Sequence, residues 1–205
     1  MAGMSDAITV KTAAKSNIVS VSNDLITWSA IAATLLITVG WLASHSSVWW
    51  SDANVAIWSS DIWSRANSQH PLDPYTLTHT MHGVLCFWFT SLLAKRLPLN
   101  RQFFLTVLFA CGWELLENSS MFVERFRVVT AASEYVGDAL INSVTDITAC
   151  SFGFYLASRM RYSASVSLFV VVEILTAIWV RDNMALNVLM ILFPVDTVRH
   201  WQIGA

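Results

Sequence analysis

The stretch Arg101–Phe122, RQFFLTVLFACGWELLENSSMF, has the composition of a membrane-spanning helix in its first half and carries two carboxylates in its second. Glu114 and Glu117 lie three residues apart, and Asn118 follows directly, so a helix presents all three on one face. A carboxylate at the centre of a spanning helix costs about 2.5–3.5 kcal/mol on insertion scales. These side chains are therefore expected to face other polar groups inside a helical bundle, away from lipid.

The composition of the whole chain supports a membrane protein. Of its 205 residues, 55% are hydrophobic and 13% are charged, and the mean hydropathy is +0.54. These values lie outside the usual range of a water-soluble domain of this size, and they predict an all-α, polytopic transmembrane helix bundle. The formal net charge of -2, without a basic stripe interleaved with aromatic residues, argues against nucleic acid as a partner.

A spanning helix needs about 20 mostly apolar residues, and the sequence offers five clear segments of this kind. They are Leu25–Ser44, Thr76–Ala94, Phe103–Val123, Val136–Ala157 and Ala164–Val180. A sixth apolar run, Met184–Val195, has the length of a re-entrant segment but could cross if its polar flanks lie among the lipid headgroups. We expect about six spans in a single transmembrane domain, 25–205, after a polar cytoplasmic segment, 1–24.

The positions of Lys and Arg predict the orientation, because short loops rich in these residues stay in the cytoplasm. Basic residues precede the first segment, separate the second from the third, and follow the fourth and the sixth. They are Lys11, Lys15, Lys95, Arg96, Arg101, Arg159, Arg161 and Arg199. The prediction is a membrane protein with both its N-terminus and its C-terminus in the cytoplasm. Cleavage of the first segment as a signal peptide is an alternative that its length disfavours, since a signal core is usually ~7–15 residues long.

The connection Ser46–Tyr75 is the longest between the predicted spans and lies on the outer side in this topology. Its part Asp52–Arg65 is interpreted as an amphipathic helix that lies in the outer interface of the membrane. The residues that would share an apolar face are Trp50, Ile57, Trp58 and Ile62. An aromatic belt at the interface would explain the same tryptophans without a helix.

Polar side chains recur three or four residues apart near the outer ends of four predicted spans. The sets are His79 with His82, Glu114 with Glu117 and Asn118, Asp138 with Asn142 and Asp146, and Asn183 with Asn187, the last set close to Arg181. Each set falls on one helix face, at a similar depth in the predicted membrane. The four stripes are therefore expected to line one cavity that opens toward the outer leaflet.

Four ordered motifs carry a family resemblance: LDPYTLTHTMHG (72–83), GWELLENS (112–119), YVGDALINSVTD (135–146) and RDNMALNVLMILFPVD (181–196). Together they resemble an uncharacterised family of bacterial multi-pass inner-membrane proteins. A remoter similarity, in the order of a His, a helical Glu and a Gly-Asp pair with a later Asp, is to VanZ-like membrane proteins associated with glycopeptide resistance. The family resemblance implies a protein of the bacterial cell envelope and brings no established reaction with it.

The residue types in these stripes are typical of a metal site, because imidazole and carboxylate groups at helical spacing bind zinc, iron or manganese. The candidate ligands of a divalent metal are His79, His82, Glu114 and Asp138. Glu117 and Asp146 are candidate general bases for a water that attacks a lipid-linked ester or phosphate. The candidate substrate-binding residues are Arg181, Asn183, Asn187, Asn118 and Asn142, with the guanidinium suited to an anionic headgroup.

Two other interpretations remain open at the level of sequence. In the first, the polar residues only tie the helices together through hydrogen bonds and ion pairs, and Arg181 neutralises one of the acids. In the second, the acids and histidines belong to a proton-coupled transporter, an interpretation favoured by Glu173 near the middle of the fifth segment. The lipid bilayer is the expected surrounding in all three interpretations.

Overall fold

The computed structural model describes residues 2–46 and 56–204, and within these ranges the protein is all-helical. Eight helices follow one another along the chain, with no strand in the described ranges. They are α1 (Ala2–His45), α2 (Tyr75–Leu93), α3 (Leu99–Glu117), α4 (Ser120–Val129), α5 (Leu140–Arg159), α6 (Tyr162–Val180), α7 (Met184–Leu192) and α8 (Asp196–Ile203). The all-α prediction is confirmed.

The five long helices form one bundle with alternating directions. At one end, the Asn100 amide donates to the Asp24 carboxylate at 2.6 Å, which places the start of α3 beside α1. At the other end, the Tyr75 hydroxyl donates to Asp182 at 2.8 Å, which places the start of α2 beside the end of α6. We call this second end, where α2 and α5 begin and α1, α3 and α6 finish, the site end.

A pair of glycines sets the distance between α2 and α5. A Cβ atom on Gly83 would lie 1.9 Å from the Cys150 carbonyl oxygen, and one on Gly153 would lie 1.9 Å from the Thr80 carbonyl oxygen. The two backbones therefore touch at a point where neither helix has room for a side chain.

The third predicted span ends earlier than expected. Helix α3 finishes at Glu117, and the Ser119 side chain accepts a hydrogen bond from the Phe122 N–H at 3.3 Å, which begins the separate helix α4. The prediction that one helix continues to Val123 is therefore wrong. Helix α4 then runs to Val129.

The ambiguous sixth segment, Met184–Val195, contains a helix that is too short to span a bilayer. Helix α7 has nine residues, a length of roughly 14 Å, which is half of a hydrocarbon core of about 30 Å. It begins deep in the bundle because the Glu173 carboxylate accepts hydrogen bonds from the Met184 and Ala185 N–H groups at 3.2 and 3.0 Å. Glu173 thus caps a helix, a structural role.

The end of the described chain returns to the site end. The Gln202 amide donates to Asp182 at 3.3 Å, and Arg181 donates to the Trp201 carbonyl oxygen at 3.4 Å. Asp24 lies at the opposite end of the bundle, beside Asn100. Asp24 and the last described helix therefore lie at opposite ends of the bundle, whereas the predicted topology places both termini, and Arg199, on one side.

The predicted interfacial helix is also wrong where the structure describes it. Residues 52–55 of that segment lie outside the described residues, and residues 56–65 form no helix. Ile57 and Ser59 instead exchange backbone hydrogen bonds with Leu72, and the Asp61 carboxylate accepts from the Trp63 and Ser64 N–H groups. These turn contacts compete with helical hydrogen bonds, which is the usual behaviour of Asp outside a helix.

Two of the described helical segments are long and apolar enough to cross a membrane by length and composition. They are Asp24–His45, with a mean hydropathy of 1.8, and Tyr162–Val180, with a mean hydropathy of 2.0. The outer surface of the bundle is rich in large apolar side chains, and Leu93, Ile178 and Leu36 are 80, 75 and 74% exposed. A surface rich in exposed apolar side chains is typical of a membrane or protein interface.

The glycine contact yields a test of the fold. Gly153→Ala should lower the free energy of unfolding by about 1–3 kcal/mol, because the new methyl group meets the Thr80 carbonyl. Gly112→Ala is the matched control, since a Cβ atom there meets nothing within 4 Å and alanine favours the helix. Thermal unfolding in detergent measures both variants, and equal melting temperatures would contradict the close contact.

A buried histidine and carboxylate cluster at the site end

The site is built around the imidazole of His79, on the second turn of α2. Its Nδ1 lies 3.6 Å from Glu114 Oε1, and its Nε2 lies 3.9 Å from Glu117 Oε2 and 3.8 Å from Asp146 Oδ2. The carboxylates come from α3 and α5, which both pack beside α2. The structure thus brings together residues that the sequence separates by up to 67 positions.

The cluster lies almost entirely out of solvent. Glu114 and Asp146 are each 1% exposed, and His79 is 7% exposed. One oxygen of each carboxylate, Glu114 Oε2 and Asp146 Oδ1, is buried and receives no hydrogen bond among the described residues. A buried charge without a partner is costly, so these oxygens need a proton or a cation.

Arginines at the site end do not supply that cation. Arg125, Arg127, Arg181 and Arg199 donate to the backbone carbonyl oxygens of Ile191, Tyr135, Trp201 and Thr130, respectively. Among the described residues, the ion pairs of the cluster carboxylates involve only His79. The expectation that Arg181 neutralises one of the acids is therefore wrong.

Two overlapping groups in the cluster have the geometry of a metal site. His79, Glu114 and Asp146 form one group, and Glu114, Glu117 and Asp138 form the other. Within each group, the potential ligand atoms lie within 4.8 Å of one another. Nitrogen and carboxylate oxygen donors of this kind could hold zinc, iron or manganese.

Three of the four predicted metal ligands belong to these groups, and His82 does not. The His82 ring packs edge-on against His79, with ring centroids 5.2 Å apart, and against Trp113 at 5.3 Å. Glu117 and Asp146, predicted as general bases, also lie in the ligand groups. Of these two residues, Glu117 alone also lines a small cavity next to the cluster.

Asp138 is held by a chain of hydrogen bonds that precedes α5. Its carboxylate accepts from the Tyr135 hydroxyl at 2.7 Å, and its N–H donates to the Asn118 side-chain oxygen at 2.9 Å. The Asn118 amide in turn donates to Ser143 Oγ at 3.3 Å. Asn118 therefore positions a carboxylate, and its predicted role in substrate binding is not supported by these contacts.

The loop before α2 contributes a carboxylate that the sequence analysis missed. Asp73 is 2% exposed, and it accepts from the Asn142 amide at 3.3 Å. Burial, together with the charge of Asp138, raises the pKa of Asp73 to about 7. Asp73 is part of the motif LDPYTLTHTMHG, but an Asp before Pro is typical of a turn, so the motif provided no reason to expect a buried carboxylate there.

The predicted substrate-binding residues divide between structural and cavity positions. Asn142 ties α5 to the loop by donating to the His70 carbonyl oxygen at 2.8 Å. Asn183 caps α7 by accepting from the Leu186 N–H at 2.7 Å. Arg181 is exposed and bonded to a backbone carbonyl, whereas Asn187 lines the cavity.

A small cavity adjoins the cluster at the site end. The space open to the centre of a water molecule is about 30 Å³, and about 10–15 Å³ is enough for one water. The polar residues that line it include His79, His82, Glu117, Asp138 and Asn187, and the aromatic ones are Tyr75, Trp113, Phe122, Phe126 and Tyr135. Ser68 has a left-handed backbone with a φ of 56°, a conformation that is uncommon for a residue other than glycine.

The fold and the site together define an all-helical protein with a histidine and carboxylate cluster buried at one end of its bundle. The chain belongs to the DUF2585 family, described as "Protein of unknown function", whose model matches residues 42–204. This match confirms the resemblance to an uncharacterised family.

Similar proteins from bacteria carry the designation UPF0314. The protein of Paracoccus denitrificans is 41% identical over 149 residues, covering 73% of this chain and 77% of the relative. That of Brucella anthropi is 34% identical over 175 residues, covering 85% of this chain and 89% of the relative. No solved structure matches this chain. The relatives named here carry no VanZ designation, so that weaker resemblance stays a prediction.

Asp182 provides a test of the charge environment next to the site. It accepts hydrogen bonds from the Tyr75 hydroxyl and the Asn183 N–H, and burial raises its pKa from 3.8 to about 7. The folded protein therefore keeps a proton that the unfolded chain releases. The stabilisation from this proton is complete below the unfolded pKa and is lost as the pH rises to about 7.

We expect Asp182→Asn to flatten the dependence of the unfolding free energy on pH between about 4 and 7. One proton corresponds to a slope of about 1.4 kcal/mol per pH unit. Thermal unfolding in detergent across this range measures the slope, and Asp196→Asn, at an exposed position, is the control. A slope that Asp182→Asn leaves unchanged would show that the carboxyl does not retain its proton.

Proposed function

We propose that this chain is an integral protein of a bacterial inner membrane, with α1, α2, α3, α5 and α6 crossing the bilayer. Helices α2, α3, α5 and α6 have 19 or 20 residues, and the apolar part of α1 has 22. Such helices are about 28–33 Å long, which matches the hydrocarbon core. The exposed apolar side chains of the bundle support the same proposal.

In this proposal the site end faces the outer leaflet. The opposite end carries Lys95, Arg96, Arg101, Arg159 and Arg161, in short connections between long helices. Short connections rich in Lys and Arg stay in the cytoplasm. The arginines of the site end contact backbone carbonyls and leave the buried acids uncompensated.

We propose that the cluster binds a divalent metal and hydrolyses or transfers a lipid-linked substrate of the cell envelope. The observation that carries this proposal is the convergence of buried carboxylates and one histidine without a Lys or Arg partner among the described residues. His79, Glu114 and Asp146 would hold the metal, with Glu117 and Asp138 completing a second group that shares Glu114. A bound divalent metal would lower the pKa of a water ligand and polarise an ester or phosphate.

The protein side chains would divide the remaining work between them. Glu117 lies in a ligand group and also lines the cavity, so it is placed to accept a proton from a water molecule there. The water oxygen would bond to the ester carbon or phosphorus, and the bond from that atom to the leaving oxygen would break. The leaving oxygen would take up the proton that Glu117 had accepted. Asn187 lines the same cavity. Of the residues that the sequence analysis assigned to substrate binding, it is the one that keeps this role in the proposal.

The two alternatives lose specific support. Transport was favoured by Glu173 as a deeper acid, and the structure uses that carboxylate to cap α7. A purely structural network would satisfy its own buried oxygens, whereas Glu114 and Asp146 each keep one oxygen without a hydrogen bond. The metal proposal accounts for these oxygens with one further ligand, which is why we favour it.

The membrane proposal predicts the location of three fusion points. Alkaline phosphatase, which is active outside the cytoplasm, should be active when fused after Ser133 or Gly204 and inactive after Leu99. Ser133 and Gly204 are expected on the outer side because both lie at the site end, whereas Leu99 begins α3 at the other end. Immunoblots control for expression. The reverse pattern would show that the protein has the opposite orientation. Inactivity after Gly204 alone would contradict the placement of α8 on the outer side.

The metal proposal predicts a change in metal content. Elemental analysis of protein purified in detergent should find a divalent transition metal in the parent chain and a strong loss in His79→Ala and Asp146→Asn. Loss of a ligand removes both a donor and the charge that holds the ion. Glu124→Gln is the matched control, since this carboxylate is exposed on α4 and should leave the metal content unchanged.

Melting temperatures of the same preparations separate a metal site from a structural network. In metal-free protein, Glu117→Gln and Asp138→Asn should be at least as stable as the parent, because each amide relieves carboxylate crowding. Glu173→Gln should be destabilised by about 0.5–2 kcal/mol with unchanged metal content, because it weakens the cap of α7. Absence of metal from the parent, with both cluster variants strongly destabilised, would favour the structural network.

A further inference from the structure

A second, larger cavity opens between α2 and α3 below the cluster. Its volume is about 410 Å³. Its lining residues are His82, Leu85, Cys86, Phe89, Thr90, Leu105, Thr106 and Phe109. We call this cavity the α2–α3 groove. Its walls are almost wholly apolar, in contrast to the polar cavity at the site end.

The groove exists because both of its helices pack on a third one. Helix α2 lies tightly against α5 at the glycine contact, and α3 packs against α1 and α5. The contact between α2 and α3 themselves is less extensive. A gap therefore remains between α2 and α3.

The groove faces the apolar surface of the bundle. Phe89, Phe109 and Leu105 are 65, 45 and 38% exposed, whereas Thr106 is buried. In the proposed membrane orientation, these exposed side chains lie where the hydrocarbon tails of lipids surround the protein. A molecule can therefore enter the groove sideways from the bilayer.

His82 joins the groove to the cluster. It lines both the α2–α3 groove and the polar cavity, and its ring packs against His79 with ring centroids 5.2 Å apart. The ring also packs edge-on against Phe109, a wall of the groove, at 6.1 Å. An amphiphile with its chain in the groove would place its polar group beside His79 and Glu117.

We infer that the α2–α3 groove binds one acyl chain of a glycerolipid, whose ester linkage lies next to His82 at the boundary with the polar cavity. The inference rests on the proposed function and specifies its substrate class. The apolar lining, the opening toward lipid and the polar upper end match an amphiphile with a hydrocarbon tail. A helix from a second copy would cover the groove without using its polar end.

The experiment is photo-crosslinking with a diacylglycerophosphocholine that carries a diazirine in one acyl chain. The parent protein in phospholipid vesicles should be labelled mainly on the groove-facing residues of α2 and α3, as mapped by mass spectrometry. Leu105→Trp, at the mouth of the groove, should reduce this labelling about tenfold, because the larger ring fills the space that the chain occupies. Leu108→Trp is the matched control, since Leu108 is 48% exposed on the same helix and lines no part of the groove.

Leu85→Trp fills the opposite wall and serves if Leu105→Trp does not fold. Asp146→Asn should lose its metal and still be labelled, whereas Leu105→Trp should lose labelling and keep its metal. The two variants therefore test the metal site and the groove separately. Three results would overturn the inference. They are labelling spread evenly over α1 and α6, equal labelling of Leu105→Trp and Leu108→Trp, and a groove covered by a second copy in crosslinked dimers.

Discussion

The close contact between α2 and α5 is the constraint on which the rest of the structure depends. Gly83 and Gly153 each face a carbonyl oxygen of the opposite helix at a distance that excludes a side chain. With the backbones in contact, His79 and Asp146, about one or two turns closer to the site end, come within 3.8 Å of each other. A wider separation would leave each of these buried polar groups facing an apolar gap.

The same contact explains why a polar site and an apolar groove lie next to each other. Because α2 follows α5 closely, α3 meets α2 mainly near the site end, where Glu114 and Glu117 approach His79. Below His82 the two helices leave the α2–α3 groove open toward the surface. The imidazole of His82 therefore lies at the boundary between the polar site and the apolar groove.

Charge is distributed unevenly around the site. Four arginines of the site end are bound to carbonyl oxygens, in several cases at the ends of α4, α7 and α8. Such contacts satisfy carbonyls that a helix end leaves free. The carboxylates of the cluster consequently lack a basic partner other than His79, and a bound cation would resolve this imbalance.

Several features could not be read from the sequence because they depend on long-range contacts. The apolar run that ends at Val123 predicted one long helix. The structure instead starts a new helix, α4, within that run, because the Ser119 side chain caps it. The apolar composition of Met184–Val195 concealed a short helix whose start is fixed by Glu173, eleven residues earlier. Asp73 was missed because its partner Asn142 lies 69 residues away.

The sequence by itself determined the all-helical class, the family, and the helix faces that carry His79, Glu114, Glu117 and Asp146. The prediction that Asp138 lies on the same helix face as Asp146 is wrong, because α5 begins only at Leu140. Helical spacing places these side chains on single faces, and the cost of exposing carboxylates to an apolar environment directs them inward. Only the tertiary structure decided which of them meet. It brought Glu114 into two ligand groups, turned Asn118, Asn142 and Asn183 into supports, and left Arg181 outside the cluster. The reason is that spacing along one helix defines a face, whereas the distance between faces depends on backbone contacts such as those of Gly83 and Gly153.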